Sequence, residues 1–378
     1  MSFVPRLQTL LLLLWLAQTV PAAPPPPPPK VAAKGYLLSD YHSGAVLAEQ
    51  NAEKRLEPAS LTKIMTAYVV FRELEAGHIR LQDQVRVSKK AWKTPGSRMF
   101  IEVGKKVSVD DLIHGMIIDS GNDACVALAE HVAGSEESFV ALMNEQARRL
   151  GMLHTHFVNA TGLPDPEHYT TPADILKVTR ALIHDFPQYY PIYSQRQFTY
   201  NGITQKNRNR LLWRDPSVDG VKTGHTKSAG YCLVASAKRE GMRLLSVVMG
   251  THSEEARAEE SQRLLNYGFR FYQTHRLFEA DRPLARVRVW KGEDDAVALG
   301  VAEPLYVTIP RGQYDKLQLH TRLRPRITAP LRQGEEVGRL RVELNGDVVA
   351  EVPLVALRNV AEGGLLHNLW DSALLLFE

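Results

Sequence analysis

The chain has 378 residues, of which 44% are hydrophobic and 23% charged, the make-up of an ordinary globular protein long enough for two or more cored domains. A disordered or fibrous chain is excluded. The net charge of +4, from 46 basic and 42 acidic side chains, is too mild and too dispersed to suggest nucleic acid as a partner.

The opening "MSFVPRLQTLLLLLWLAQTVPAA" sets Arg6 ahead of a leucine-rich run, then small residues at Val20 and Ala22. This is the pattern of a cleaved secretory signal over residues 1–22. A membrane-spanning helix is the weaker alternative, because Gln8 and Gln18 interrupt the apolar run and Pro21 closes it. The mature chain is therefore expected outside the cytoplasm, compatible with an anionic wall or membrane neighbour. Residues 23–30 carry six consecutive prolines, which favour an extended spacer that cannot join a packed core.

Residues 31–278 mix strands and helices. "GYLLSDYHSGAVLAE" reads as two strands around a Ser-Gly turn. From Leu61 to Leu74, apolar residues at Leu61, Ile64, Met65, Tyr68, Val69 and Phe71 are spaced for one helical face. Helices are also expected over 110–116, 124–132, 138–150 and 172–184. "GYCLVASAKREGMRLLSVVMG" gives two apolar strands joined by a charged turn, and 254–272 returns as a long amphipathic helix. Strands that open and close the segment, with helices between, imply an α+β domain. Its two cysteines, Cys125 and Cys232, sit in apolar stretches and read as buried free thiols rather than as a disulfide or zinc site.

From about Glu279 the texture changes to short alternating stretches such as "ARVRVW", "LYVTI" and "KLQLH", with Asn345-Gly346 as a two-residue hairpin turn. Residues 279–360 are thus expected to form a small all-β domain, without a cluster of acids, histidines or nucleophiles. The final segment, 361–378, places Leu365, Leu366, Leu369, Trp370, Ala373, Leu374 and Phe377 on one helical face. Such a stripe suits a membrane interface, although Leu375 and Leu376 blur the polar face and it carries no Lys or Arg. Docking on another protein is the alternative.

Within "EPASLTKIMT", Ser60 and Lys63 are three residues apart near a helix start. A serine hydroxyl needs a base within hydrogen-bond reach to act as a nucleophile, and residues i and i+3 share a helical face. The positive end of the helix dipole favours an alkoxide there and disfavours a protonated lysine. The pattern S-x-x-K also arises by chance, as a capping serine beside a solvated lysine. Two further stretches change its weight. "SGNDACVALAE" gives Ser120 and Asn122 opening a helix, two residues apart and able to project together into a cleft. "VDGVKTGHT" gives Lys222-Thr223-Gly224 at a strand edge, where glycine admits a close backbone approach and main-chain pairing can hold an extended peptide. His154 and His156 have no third ligand at supporting spacing, so packing or surface roles are expected.

In this order the three motifs form the signature of penicillin-binding proteins and class A β-lactamases. The chain closely resembles the D-alanyl-D-alanine carboxypeptidases among the low-molecular-mass penicillin-binding proteins, through "SLTKIMT", "SGNDACVA", "NATGL", "NRNRLLW", "VDGVKTGHT" and "LLNYGFRFY". The resemblance implies a penicillin-binding-protein/β-lactamase-like fold and a serine acyl-transfer mechanism without metal or cofactor. Ser60 is then the nucleophile on a peptidoglycan stem peptide and Lys63 its base. Ser120 and Lys222 handle the proton of the departing D-alanine, and Asn122 holds the acyl-chain amide. Thr223, beside Gly224, helps to bind the terminal carboxylate together with Arg257, and the N–H groups of Ser60 and His225 form the oxyanion hole. β-Lactams are expected to acylate and inhibit the protein, and a periplasmic setting with peripheral attachment to the inner membrane is expected. Two ammonium groups converging on one pocket should each resist protonation, by burial and by like charge.

Three alternatives stand beside this reading: an endopeptidase or transpeptidase of the same chemistry, a β-lactamase, and a noncatalytic wall scaffold. The β-lactamase lacks support because Glu167 begins "EHYTT" rather than the E-x-x-L-N stretch of a class A deacylation base.

Overall fold

The computed structural model describes residues 25–374. The segment expected to be a secretory signal, the start of the proline run and the last four residues lie outside the described residues.

The N-terminal half is organised on a five-stranded antiparallel sheet. Its order is Val46–Gln50, Gly35–Asp40, Met242–Thr251, Gly230–Arg239 and Val218–Thr226. Alternation along each strand sends successive side chains to opposite faces, and here both faces are covered. Leu245, Val247 and Met249 enter the core beneath the helical layer, while Leu244 and Val248 meet Leu264 and Leu265 of the helix Glu254–Phe271. The strand Val218–Thr226 is outermost, so one of its edges is free of sheet partners.

The helix Thr62–Glu75 departs from the one-faced expectation, since every residue from Thr62 to Phe71 is buried. It runs through the middle of the helical layer, packed against Asn122–Ala133, Glu136–Arg149 and Pro172–Asp185. A helix covered on every side can present a polar group only to a partner inside the protein. The other expected helices form as Val109–Ile117, Asn122–Ala133, Glu136–Arg149 and Pro172–Asp185, several with serine or threonine caps. Cys125 and Cys232 are buried free thiols.

The proline run is not detached from the domain. Pro25 and Pro29 are half-buried, and the Tyr267 hydroxyl donates to the Pro26 carbonyl at 2.9 Å. Extended proline backbone leaves its carbonyls unpaired, and one of them finds a donor on the long helix.

The C-terminal half is a five-stranded antiparallel sheet, in the order Ala285–Arg288, Ala296–Gly300, Asp347–Ala356, Glu336–Leu344 and Leu317–Leu323. A two-stranded ribbon, Tyr272–Phe278 with Leu305–Pro310, stands beside it. Asn345 and Gly346 turn with φ of 54° and 91°, the left-handed pair that a tight hairpin requires. The ribbon begins seven residues before the change of texture at Glu279, because Tyr272–Phe278 does not alternate visibly and continues directly from the helix. Thr274 in this ribbon donates to the Asp40 carboxylate at 2.7 Å, and Ser43 meets Thr308 at 2.7 Å, so hydroxyl contacts join the two halves. The helix Leu365–Leu374 follows the β domain.

Candidate active site

Ser60 lies in a single 3-10 turn, Ala59–Leu61, that feeds into the helix Thr62–Glu75. Ala59 has φ of 48°, a left-handed conformation costly for a residue with a Cβ. Several contacts hold it there. The Thr62 hydroxyl donates to the Ala59 carbonyl at 2.9 Å. Gly162 packs so closely on that carbonyl that a Cβ would stand 1.8 Å from its oxygen. Behind Thr62, His168 is 2% exposed, with Nε2 2.8 Å from the Thr62 hydroxyl and Nδ1 accepting from the Val158 N–H at 3.1 Å. With Nδ1 an acceptor, the proton belongs on Nε2 and the ring is neutral. Burial pushes its pKa down to about 4.

One turn on, Lys63 is 1% exposed. Its Nζ is 3.1 Å from Ser60 Oγ, 2.7 Å from Asn122 Oδ1 and 2.6 Å from the Thr161 carbonyl. Burial draws its pKa below the usual lysine value; Cys125 and Asp123 oppose this, and the Arg208 charge adds to it. Arg208 thus adds like charge at Lys63 that the sequence had not indicated.

Ser120, at φ of 61°, lies just before the helix that starts at Asn122. The two-residue spacing brings both side chains to the cleft, where each meets a different lysine. Lys222 Nζ donates to Ser120 Oγ at 2.9 Å and to the Thr223 carbonyl at 3.2 Å. Its pKa lies well below the usual value, by burial first and then by the charges of Lys63 and Arg208. Asn122 is more tightly engaged than its expected role: besides meeting Lys63, its Nδ2 donates to the Pro95 carbonyl at 2.6 Å. The next residue, Asp123, accepts from the N–H groups of Met99, Phe100 and Ile101, which pins the 95–101 loop as a wall of the cleft.

The third wall is the outermost strand. A Cβ on Gly224 would lie 3.1 Å from the Pro58 carbonyl and 3.3 Å from Ala59 Cβ and the Leu61 nitrogen. Glycine is what lets the strand and the Ser60 segment approach. His225 is exposed and stacks on Tyr231 with ring centroids 4.0 Å apart. Arg257, 4% exposed, donates to the Gly224 carbonyl at 3.2 Å and to Glu254 at 2.9 Å. It therefore combines the expected position in the site with the ion pair of a surface arginine.

Ser60, Ser120, Asn122, Thr223, Gly224, His225 and Arg257 all line one cleft of about 470 Å³, with Lys63 and Lys222 buried behind the two serines. Arg208 and Thr161 also line it, and sequence reasoning missed both. Arg208 stands in the "NRNRLLW" stretch, but nothing in its spacing distinguishes it from its neighbours. Thr161 acts through its carbonyl, to which a side-chain pattern is blind. Glu167 is exposed and outside this cleft. No group of residues able to hold a metal occurs among the described residues.

A hydroxyl and a buried amine on one helical turn, with a second serine–lysine pair across a cleft bounded by a free strand edge, define a serine acyl-transferase site. Residues 20–253 match the family D-alanyl-D-alanine carboxypeptidase, peptidase S11, and 272–362 match the C-terminal domain of penicillin-binding protein 5. The chain belongs to the D-alanyl-D-alanine carboxypeptidase family. It is 48% identical to D-alanyl-D-alanine carboxypeptidase DacC of Escherichia coli (strain K12), over 92% of this chain and 89% of that relative. The crystal structure of penicillin-binding protein 5 from Haemophilus influenzae superposes with a TM-score of 0.86 at 41% identity, over 89% of this chain and 99% of that one. Penicillin-binding protein D2 from Listeria monocytogenes, in its ampicillin-bound form, matches with a TM-score of 0.60 at 30% identity, over 65% of this chain and 100% of that one.

Proposed function

We propose that the protein removes the terminal D-alanine from peptidoglycan stem pentapeptides through an acyl-enzyme on Ser60. The observation that carries this reading is the set of contacts at Lys63 Nζ: Asn122 Oδ1, the Thr161 carbonyl and Ser60 Oγ. A neutral amine has two protons and one lone pair. With the protons given to the two carbonyl oxygens, the lone pair faces the Ser60 hydroxyl, as a general base requires.

In this reading Ser60 Oγ attacks the carbonyl between the last two residues while its proton passes to Lys63. The developing oxyanion is met by the main-chain N–H groups of Ser60 and His225. The C–N bond then breaks, and the departing amine takes, through Ser120, the proton that Lys63 had gained, while Lys222 holds the Ser120 hydroxyl in place. Water hydrolyses the ester and returns the site to its starting state. Thr223 and Arg257 receive the terminal carboxylate, for which a guanidinium is suited; Arg257 already has one face committed to Glu254. Asn122 orients Lys63 and offers its amide edge to the acyl chain. A β-lactam would enter by the same first step and stay as a slow ester, since the carboxylate lining the cleft, Glu254, is paired with Arg257 and Arg210 rather than set to activate a water.

Incubating the purified protein with a stem pentapeptide and with a cross-linked dimer, and measuring free D-alanine against monomer, separates carboxypeptidase from endopeptidase. Free D-alanine without monomer is the expected result; monomer release would replace this reading with the endopeptidase one.

The C-terminal helix supports attachment to the inner-membrane surface. Asp371 is buried, accepting from the Lys291 N–H and from Arg288, so the polar side of the helix docks on the β domain. Leu365, Leu366, Leu369 and Trp370 are 67–85% exposed on the other side. No helix among the described residues is long and apolar enough to cross a membrane, so attachment is peripheral in this reading. Fractionating cells with and without the residues after Ala361 tests it.

A further inference from the structure

One of the three contacts of Lys63 Nζ is a main-chain oxygen, the Thr161 carbonyl at 2.6 Å, and a carbonyl is aimed only by aiming the backbone that carries it. The loop 159–163 is shaped from within by Asn159. Its Oδ1 accepts from the N–H groups of Thr161, Gly162 and Leu163 at 3.1, 2.7 and 3.2 Å and from the Thr161 hydroxyl at 3.0 Å, while its Nδ2 donates to the Leu163 carbonyl at 3.0 Å. A loop tied to one side chain at so many points is rigid and moves as a unit.

Two outer ties of that unit fall on Ala160, which is fully buried. Its carbonyl accepts from the Thr66 hydroxyl at 2.7 Å, on the same helix as Lys63. Its N–H donates to Glu136 Oε1 at 3.1 Å. Glu136 opens the helix Glu136–Arg149, whose start is capped by Ser135, so the backbone behind this carboxylate is itself fixed. The other oxygen, Oε2, lies 3.0 Å from Lys90 Nζ, with the two side chains 13% and 46% exposed. Contact therefore runs from a surface lysine through Glu136 and the Ala160–Thr161 backbone to the amine beside Ser60.

The two contacts of Glu136 differ in weight. An ion pair with a half-exposed lysine contributes little, whereas an acceptor for a buried N–H that would otherwise go unpaired contributes more. We propose that Glu136, which does not line the Ser60 cleft, is a positioning residue for the base. By accepting from the Ala160 N–H it holds the Thr161 carbonyl on Lys63, which keeps the lone pair of that amine turned to the Ser60 hydroxyl. The proposal rests on the Ser60 reading above. Without the acceptor, the Ala160 N–H is drawn toward water in the hollow of about 510 Å³ that Lys90, Glu136, Asn159 and Thr161 line, and the carbonyl next to it leaves the amine.

The test measures D-alanine release from a stem pentapeptide and the rate of acylation by a fluorescent penicillin, both per labelled site so that only folded protein counts. E136A is expected to lower kcat and the acylation rate about tenfold at unchanged KM. E136D, which keeps the charge but sets the acceptor back by a methylene, should also lose kcat at unchanged KM and stands in where E136A does not fold. E136Q keeps an oxygen for the Ala160 N–H and gives up the charge, so it should stay within about twofold of the unaltered protein, as should K90Q. An E136A or E136D variant as fast as the unaltered protein overturns the assignment, as does E136Q or K90Q as slow as E136A, or a loss that falls on KM alone. If the unaltered protein releases no D-alanine, the carboxypeptidase reading fails, while the penicillin acylation rates of the same variants still decide the role of Glu136.

Discussion

In the peptidase half Lys63, Lys222 and Arg257 are each 4% exposed or less, whereas in the β domain Arg339 and Arg341 stand 55% and 49% exposed against Glu351. The buried lysines have few partners, each at a fixed distance, and their pKa values fall because water cannot solvate the charge. The β-domain arginines share one glutamate across neighbouring strands and keep their hydration. The same residue classes therefore sit dehydrated in the cleft in one region and cover surface in the other, and burial is what divides the two. The buried acid at the end of the β domain, Asp371, serves structure instead, fastening the terminal helix.

Substitutions sharpen this contrast. The largest effect is expected for S60A, which should abolish fluorescent-penicillin labelling and lower D-alanine release by on the order of 10⁴ or more; a variant still labelled would displace Ser60 as nucleophile. K63Q should lower kcat by about 10²–10⁴, the span of general base catalysis. With Lys63 intact, activity should rise with pH as the amine loses its proton and reach its plateau clearly below the ordinary lysine value of about 10.4. A limb at that ordinary value would contradict a neutral resting base. R257Q should act mainly on KM, by roughly 10–100-fold, as expected for losing a charged hydrogen bond, and less on penicillin labelling than on peptide turnover.

His168 supplies a pH test of stability. Its folded pKa of about 4 lies below the unfolded value of about 6.5. Between these values the unfolded chain binds the proton and the folded one does not. The contribution is therefore complete above about pH 6.5 and lost as pH falls through about 4. H168Q should flatten the change of Tm over that window, and an unchanged slope would assign the acid sensitivity elsewhere. The smallest effect is expected on the exposed ladder: R341Q should change stability by less than about 1 kcal/mol and leave turnover alone. A larger loss would mean that the β-domain charges are not the solvated surface described above.

Much of the site was legible because each of its polar motifs begins or ends an element. The S-x-x-K spacing needs only a helical turn, S-x-N only a helix start, and K-T-G only a strand edge, and the structure supplies each. The apolar strands at 230–239 and 242–251 were readable for a related reason, since burial on both faces leaves a nearly continuous apolar run. Three features were not readable. The first helix was expected to have a solvent face, yet its polar residues Thr62, Lys63 and Thr66 are satisfied inside, and a letter cannot reveal a partner about a hundred residues away. The contribution of Thr161 is a carbonyl, which every residue has. The ribbon strand Tyr272–Phe278 takes its register from Leu305–Pro310, a long-range pairing with no local periodicity to announce it.

Gly162 shows how little slack the Ser60 turn has. Only a hydrogen atom fits between that residue and the Ala59 carbonyl, while the residue just before it supplies the oxygen that Lys63 holds. One peptide unit thus acts as a gauge block, setting the spacing between the strained backbone before Ser60 and the amine beside it. Lifting that loop by a methyl's width would loosen both at once, so the setting of the Lys63 amine and the aim of the Ser60 hydroxyl rise or fall together.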